Sequence, residues 1–386
     1  MRSIICLLTS FLLCAGAGST ECAFDGVTFS DRFDGGRLSG CRQTGERAFE
    51  IGVAPEDAPI NPSGWYAFAV DAQAAGRIDI TLVYAHGRHR YAPKFSRNGE
   101  DWSEVGGVSV ANTRNRAVFA LDVPQGRSFI SAQPLIAAGD YDRWLTDMLA
   151  RDAGVELVEI GRSGEGRPIK ALRSKKRGRE AVALVGRQHP PETTGAVAFF
   201  AFVARILEDD PLAERFRKRF GVLAIPMLNP DGVFHGQWRN NSRGLDINRD
   251  WGPFTQQETR AARDAIADFA GDKPGRLALF LDFHSTWNDV LYTQPDGAEG
   301  ARAWFASAWR AGIAEALGSA PRRDASHNPA LPTAKSWAHE TYRIPAITFE
   351  IGDETPKENI ESLARAAAES MMLLLLEGPP APEGEQ

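Results

Sequence analysis

The chain has 386 residues, room for one large domain or two smaller ones. Hydrophobic residues make up 43% and charged residues 24%, the balance of a soluble globular protein, and no window beyond the N-terminus is long and apolar enough to span a membrane. The net charge of −6 argues against nucleic acid as the main partner.

Residues 1–19 read as a secretory signal peptide. Arg2 gives a short positive region, residues 4–13 an apolar core, and Ala15-Gly16-Ala17 or Ala17-Gly18-Ser19 a small-residue cleavage site. The apolar run is too short for a membrane anchor. Neither Cys14 nor Cys22 follows the Leu and small-residue pattern of a lipoprotein. Export to the periplasm or the medium is the expectation. Cys6 and Cys14 leave with the peptide, so the mature chain keeps Cys22 and Cys41, which an oxidising compartment would pair.

Residues 20–134 predict a small all-β sandwich. Trp65-Tyr66-Ala67-Phe68-Ala69-Val70 and the alternating Arg77-Ile78-Asp79-Ile80-Thr81-Leu82-Val83 are strand-like. Asn98-Gly99 marks a turn between runs at 91–97 and 102–105, and further short runs follow at Val108 and 117–123. After Pro134 the pattern changes to strands alternating with helices. A helix is expected over 140–150, a buried strand over 181–185, and an apolar helix over 196–207. Then come a strand at 221–227, a helix at 258–270, a strand at 277–283 and a helix at 301–317. A strand at 346–349 and a closing helix at 358–376 complete the series. Continuous apolar strands separated by helices imply an α/β domain over 135–377, with a mixed, mostly parallel sheet covered on both faces. The Pro/Gly/Glu-rich residues 378–386 are expected to be a disordered tail.

In open α/β sheets, sites form beyond the carboxyl ends of the strands. His189 and Glu192 follow the strand ending at Val185, and His284 closes the strand at 277–283. Glu350 closes the strand at 346–349, and Asn229-Pro230-Asp231-Gly232 follows a fourth. Two His and one carboxylate are a ligand set for zinc in a hydrolytic site, where one position stays open for water. Pro190-Pro191 keeps His189 and Glu192 off a regular helix, so this is not a helical His-Glu-x-x-His motif. The remaining histidines, His86, His89, His235, His327 and His339, have no such framing and read as ordinary hydrogen-bonded residues.

These residues resemble the zinc carboxypeptidases of the funnelin type, whose signature is His-x-x-Glu and a distant His. The resemblance runs over about 135–377. It includes Ile160-Gly161-Arg162-Ser163-Gly164-Glu165-Gly166-Arg167, Asn229-Pro230-Asp231-Gly232, Gly244-Leu245-Asp246-Ile247-Asn248-Arg249-Asp250-Trp251, Asp282-Phe283-His284-Ser285 and Phe349-Glu350-Ile351-Gly352-Asp353. Gly64-Trp65-Tyr66-Ala67-Phe68 and Arg97-Asn98-Gly99-Glu100-Asp101-Trp102 are similar to the domain that precedes the catalytic unit in the cytosolic-carboxypeptidase subgroup.

The resemblance implies one zinc ion on His189, Glu192 and His284, and peptide or protein C-termini as substrates. It makes Glu350 the general base and Arg239 the arginine that stabilises the oxyanion, with Arg243 as the alternative. Asn248 and Arg249 match the pair that grips the terminal carboxylate. Pancreatic-type members cover the substrate with a Tyr twenty-two residues before the catalytic Glu; here that count reaches Asn328, although Trp337 keeps register. The same count puts Lys335 at the base of the side-chain pocket, which implies a preference for acidic terminal residues. Two other readings share the metal motif: an amidase or deacylase of the aspartoacylase type, and a cell-wall peptide hydrolase. A metal-dependent binding protein without turnover is the reading from another class, and Glu350 argues against it.

Overall fold

The computed structural model describes residues 19–176, 178–271, 276–295 and 297–379. The expected signal peptide, Ser19 apart, and residues 380–386 of the expected tail lie outside them. The chain divides into two compact units, one of residues up to Pro55 with Gly64–Ala132, the other of Glu56–Ser63 with the chain from Gln133 onward.

The first unit is all β. In chain order its strands are β1 (Glu21–Phe24), β2 (Val27–Ser30), β3 (Gly40–Gly45), β4 (Ala48–Val53), β5 (Ala67–Ala72) and β6 (Gly76–Tyr84). They continue with β7 (Lys94–Ser96), β8 (Ser103–Glu104), β9 (Ser109–Val110), β10 (Arg116–Val123) and β11 (Gly126–Ser131). One sheet runs β1-β2-β5-β11-β7-β8, the other β3-β4-β6-β10-β9. Side chains of β6 and β10 alternate between core and solvent, as their period-2 sequences require. Phe29 of one sheet meets Phe49 of the other with ring centroids 4.9 Å apart, so the two inner faces share a core. Cys22 and Cys41 form a disulfide between β1 and β3, with Cα atoms 6.0 Å apart.

The second unit holds an eight-stranded sheet. Its strands are β12 (Val155–Arg162), β13 (Pro168–Ser174), β14 (Glu180–Gly186), β15 (Phe220–Ile225), β16 (Leu277–Thr286), β17 (Val290–Tyr292), β18 (Arg322–Asp324) and β19 (Ala346–Gly352). Their order is β12-β13-β15-β14-β16-β19-β17-β18, and the central four run parallel. Helices α1 (Ala138–Ala150), α2 (Thr193–Ile206), α3 (Pro211–Arg219), α4 (Pro230–Phe234) and α5 (Gln257–Ala270) precede or interrupt the early strands. Helices α6 (Phe305–Leu317), α7 (Ala334–Tyr342) and α8 (Lys357–Glu377) belong to the later part.

Strand β14 shows why the sheet is covered twice. Val182 and Leu184 pack into a core with α2, α6 and α8, while Ala181, Ala183 and Val185 pack into a second core with α5 and α7. The chain leaves β14 through α2 toward β15 on one side, then returns through α5 to β16 on the other. The order of strands therefore reverses at β14, the place where open α/β sheets form their sites at the carboxyl ends. Several expected boundaries shift, two of them at the site. Strand β16 runs on to Thr286 and β19 to Gly352, so His284 and Glu350 lie within ladders rather than after them. Parallel pairing sets His284 beside Glu350.

Candidate active site

His189 and Glu192 sit in the loop between β14 and α2. Arg187 takes a left-handed conformation at φ +50°, turning the chain out of the sheet, and its Nε donates to the Pro190 carbonyl at 2.8 Å. Glu192 is the N-cap residue of α2, consistent with the two prolines that hold it outside the helix. The first turn of α2 is pinned to β16: Thr194 Oγ1 and Gly195 N each donate to Ser285 Oγ at 2.8 Å. A Cβ on Gly195 would meet the His284 carbonyl oxygen at 2.5 Å, so only glycine permits this approach.

Those constraints bring the three ligand candidates together. His189 Nδ1 lies 2.8 Å from Glu192 Oε1, and His284 Nδ1 lies 2.7 Å from Glu192 Oε2. All three residues are buried, with one ligand atom from each within 4.8 Å of the others. The far nitrogens are also engaged. His189 Nε2 is 3.0 Å from Asp246 Oδ1, and His284 Nε2 is 2.8 Å from Asp282 Oδ2. A metal-binding imidazole needs one nitrogen lone pair free and the opposite N–H held by a carboxylate. Both histidines meet that requirement through Nδ1, so the donor set fits zinc. Burial disfavours a charged Glu192, but the two imidazoles outweigh it and hold the carboxyl well below the usual range. Burial likewise opposes a charged His284, and is overcome by Asp282 and Glu192, which raise its pKa well above the ordinary value.

A 3₁₀ turn at Ile247–Arg249 presents the next group. Asp246 caps it, accepting from Asn248 N at 2.9 Å, and also accepts from Arg239 Nε at 2.6 Å. Burial works against its charge, yet His189, Arg239 and Arg249 hold its carboxyl far below the usual range. Asn248 is buried: its Oδ1 accepts from Ala334 N at 2.9 Å, and its Nδ2 is 3.2 Å from His284 Nε2. Arg249 lies close enough to Asp246 and Arg239 to feel both charges. Arg243 does not join this group. It is exposed, and its guanidinium lies against Gly164, whose Cβ would stand 3.2 Å from Nε.

Lys335 is buried in the first turn of α7 at 5% exposure. Its Nζ donates to the His327 carbonyl at 3.0 Å, and burial lowers its pKa, with Asp324 partly opposing. The His327 ring stacks on Tyr292 with centroids 3.8 Å apart, and Tyr292 feels the charge of Glu350. Val290 and Tyr292 of β17 run antiparallel beside Glu350 and Thr348 of β19. Asn328, reached by counting back from Glu350, places its Nδ2 2.8 Å from His327 Nε2.

The zinc carboxypeptidase family profile matches residues 141–370, well over half of the chain. The chain belongs to the zinc carboxypeptidase family. A metallocarboxypeptidase structure from Burkholderia cenocepacia superposes on 90% of this chain and 99% of its own, with a TM-score of 0.77 and 19% identity. An uncharacterized protein of Zymomonas mobilis is 26% identical over 65% of this chain. Cytosolic carboxypeptidase-like protein 5 of Rattus norvegicus is 44% identical over 19%. Those matches span 66% and 9% of the two relatives, less than two thirds of either.

The site also contains residues to which the sequence assigns no role. Asp246 and Asp282 orient the imidazoles, and Gln188 Nε2 donates to both oxygens of Asp282 at 2.8 and 2.9 Å. Trp251 Nε1 in turn donates to Gln188 Oε1 at 2.8 Å. Asp246 and Asp282 stand two residues before Asn248 and His284, Gln188 one before His189, and Trp251 two after Arg249.

Proposed function

We propose that this carboxypeptidase removes single residues from peptide C-termini outside the cytoplasm, with a preference for terminal Glu or Asp. The observation that carries the mechanism is the parallel register of β16 and β19, which sets Glu350 beside the ligand His284. His189, Glu192 and His284 would hold a zinc ion, which would supply Lewis-acid chemistry when bound, making water more acidic and the scissile carbonyl more polar. Glu350 takes the proton of the attacking water as its oxygen bonds to the carbonyl carbon. It then delivers that proton to the nitrogen as the C–N bond breaks. Arg239, held by Asp246, offers a fixed charge to the oxyanion that develops between these steps. Arg249 binds the terminal carboxylate through its planar fork, and Asn248 Nδ2 provides a further donor.

Arg239 and Arg249 lie near Asp246, and the buried Lys335 lies on the His327 carbonyl beside the Tyr292 that feels Glu350; cations assigned to the oxyanion, the terminal carboxylate and the side-chain pocket would favour a substrate with two terminal carboxylates. The carboxylate-binding pair favours peptides, but an N-acyl amino acid also ends in a free carboxylate, so both belong in the assay. Zinc-loaded protein is offered a C-terminal peptide library and N-acetyl amino acids, with and without chelator. Release of single C-terminal residues, abolished by chelator, is expected; no release would end the proposal. Glu350→Gln should lower kcat by about 1,000-fold, the scale of one general base, while keeping one zinc per chain. Loss of zinc from this variant would remove Glu350 from its assigned role.

The extracytoplasmic location is supported by the N-terminal pattern and by the Cys22–Cys41 pair. Cell fractionation with N-terminal sequencing tests it. A mature chain beginning near residue 18 or 20 in the periplasm or medium is expected, and an unprocessed cytoplasmic chain would refute it.

A further inference from the structure

The segment Glu56–Ser63 lies within the β unit in chain order yet groups with the catalytic unit. At its start the Glu56 carboxylate accepts three successive backbone N–H groups. Oε2 accepts from Trp238 at 2.7 Å, and Oε1 from Arg239 at 3.0 Å and Asn240 at 2.7 Å. Asp57 extends the grip, its Oδ2 accepting from Asn240 Nδ2 at 3.1 Å. From the other side, Asn229 Nδ2 donates to the carbonyls of Asn240 and Gln188, both at 3.0 Å. Gln188 precedes the ligand His189, so one amide ties the arginine loop to the metal loop.

Residues 238–240 lie in neither a helix nor a strand. Their N–H groups have no ladder to join, and buried amides must find partners elsewhere. Three consecutive N–H groups facing one way form a concavity that prefers an anion. Glu56 is that anion. Trp238, fully buried, anchors one end of the loop, and the salt bridge of Arg239 to Asp246 holds the side chain. The backbone under Arg239 is then set by Glu56.

We propose that Glu56 is a positioning residue for Arg239: it fixes the loop that aims the guanidinium, so that a segment from the N-terminal half of the sequence completes the catalytic apparatus. The inference rests on the oxyanion role proposed for Arg239. A misplacement of about 1 Å in such a group lowers rate about 100-fold. The loss falls on kcat, because the contact strengthens only as charge develops.

The test compares Glu56→Gln, Glu56→Ala, Arg239→Ala and the double variant Glu56→Gln/Arg239→Ala in the full zinc-loaded chain. Glutamine keeps one acceptor oxygen but turns an NH2 group toward the amides, leaving at least one N–H unpaired. Arg239→Ala should lower kcat about 100-fold or more. Glu56→Gln should lower kcat at least about tenfold with KM changed less than about twofold and zinc content intact. The double variant should be no slower than Arg239→Ala, because both changes remove the same contact. If Glu56→Ala fails to fold, Glu56→Gln decides alone. The inference is overturned if Arg239→Ala is slow while Glu56→Gln matches wild type, or if the two losses multiply. If Arg239→Ala itself is unimpaired, the arginine assignment fails and takes this inference with it.

Discussion

Asp246 divides one carboxylate between a metal ligand and an arginine, His189 Nε2 at 3.0 Å and Arg239 Nε at 2.6 Å. It therefore fixes which nitrogen of His189 faces Glu192 and where Arg239 stands. Asp246→Asn keeps the shape but removes the charge that holds both. Carboxylates behind metal-binding imidazoles are worth about 10- to 100-fold in metal affinity. Zinc affinity of Asp246→Asn, measured by competition with a chromogenic chelator, should fall by that factor; unchanged affinity would leave Asp246 serving the arginine alone. Lys335 is a second single-residue case. If its ammonium pairs with an acidic terminal side chain, Lys335→Ala should cut the Glu-over-Leu ratio of kcat/KM about tenfold, the worth of a charged hydrogen bond of about 1.5 kcal/mol. An unchanged ratio would sink the preference. The ligands are legible in sequence because few residue types bind zinc and each follows a strand. Asp246 and Asp282 are harder to assign, because nothing local separates an orienting carboxylate from a surface one.

At the scale of elements, the Asn229-Pro230-Asp231-Gly232 motif joins distant segments. Asp231, fully buried, accepts from Ser163 Oγ at 2.6 Å, Ser242 Oγ at 2.7 Å, Glu165 N at 2.8 Å and Arg167 Nη1 at 2.8 Å. It ties the turn after β12 to α4 and to the loop that leads to Asp246. Asp231→Ala removes one partner of a buried charged cluster and should cost about 3 kcal/mol in urea denaturation. Burial raises the Asp231 pKa, but Ser163, Arg167, Ser242 and the Glu165 amide together bring it below its ordinary value. A depressed carboxyl stabilises fully above its unfolded pKa, about 3.9, and this is lost as pH falls through the folded pKa. The stability gap between wild type and Asp231→Asn should therefore narrow below about pH 4; a gap that widens in acid would contradict the assignment. The central strands β14, β15, β16 and β19 are readable because their apolar runs exceed what a loop carries, whereas β12 and β13, with charged residues between the apolar ones, escaped. Strands β1 to β4 escaped, being only four to six residues long, as did α7, whose Lys335 is buried against its residue type.

The whole molecule combines two different stabilising devices, one in each compact unit. The sandwich carries the Cys22–Cys41 bond, which closes a loop of sequence separation 19. By chain entropy, a loop of this size is worth about 3 kcal/mol. The catalytic unit carries the zinc ligands, and a metal at 1,000 times its Kd adds about 4 kcal/mol to whatever binds it. In sequence, the change of pattern after Pro134 is what suggests two parts. It gives no hint that Glu56–Ser63 groups with the catalytic part, since that grouping depends on backbone amides of residues 238–240, whose direction no sequence pattern encodes. The two devices should respond to separate reagents, read by hydrogen exchange. Reductant should speed exchange in β1 to β4, where both cysteines reside. Chelator should speed exchange at residues 186–192 and 282–286, where the ligands reside. Uniform acceleration of both regions by either reagent would mean that one cooperative unit spans the chain. Local responses would mean that each half is stabilised where its own chemistry lies.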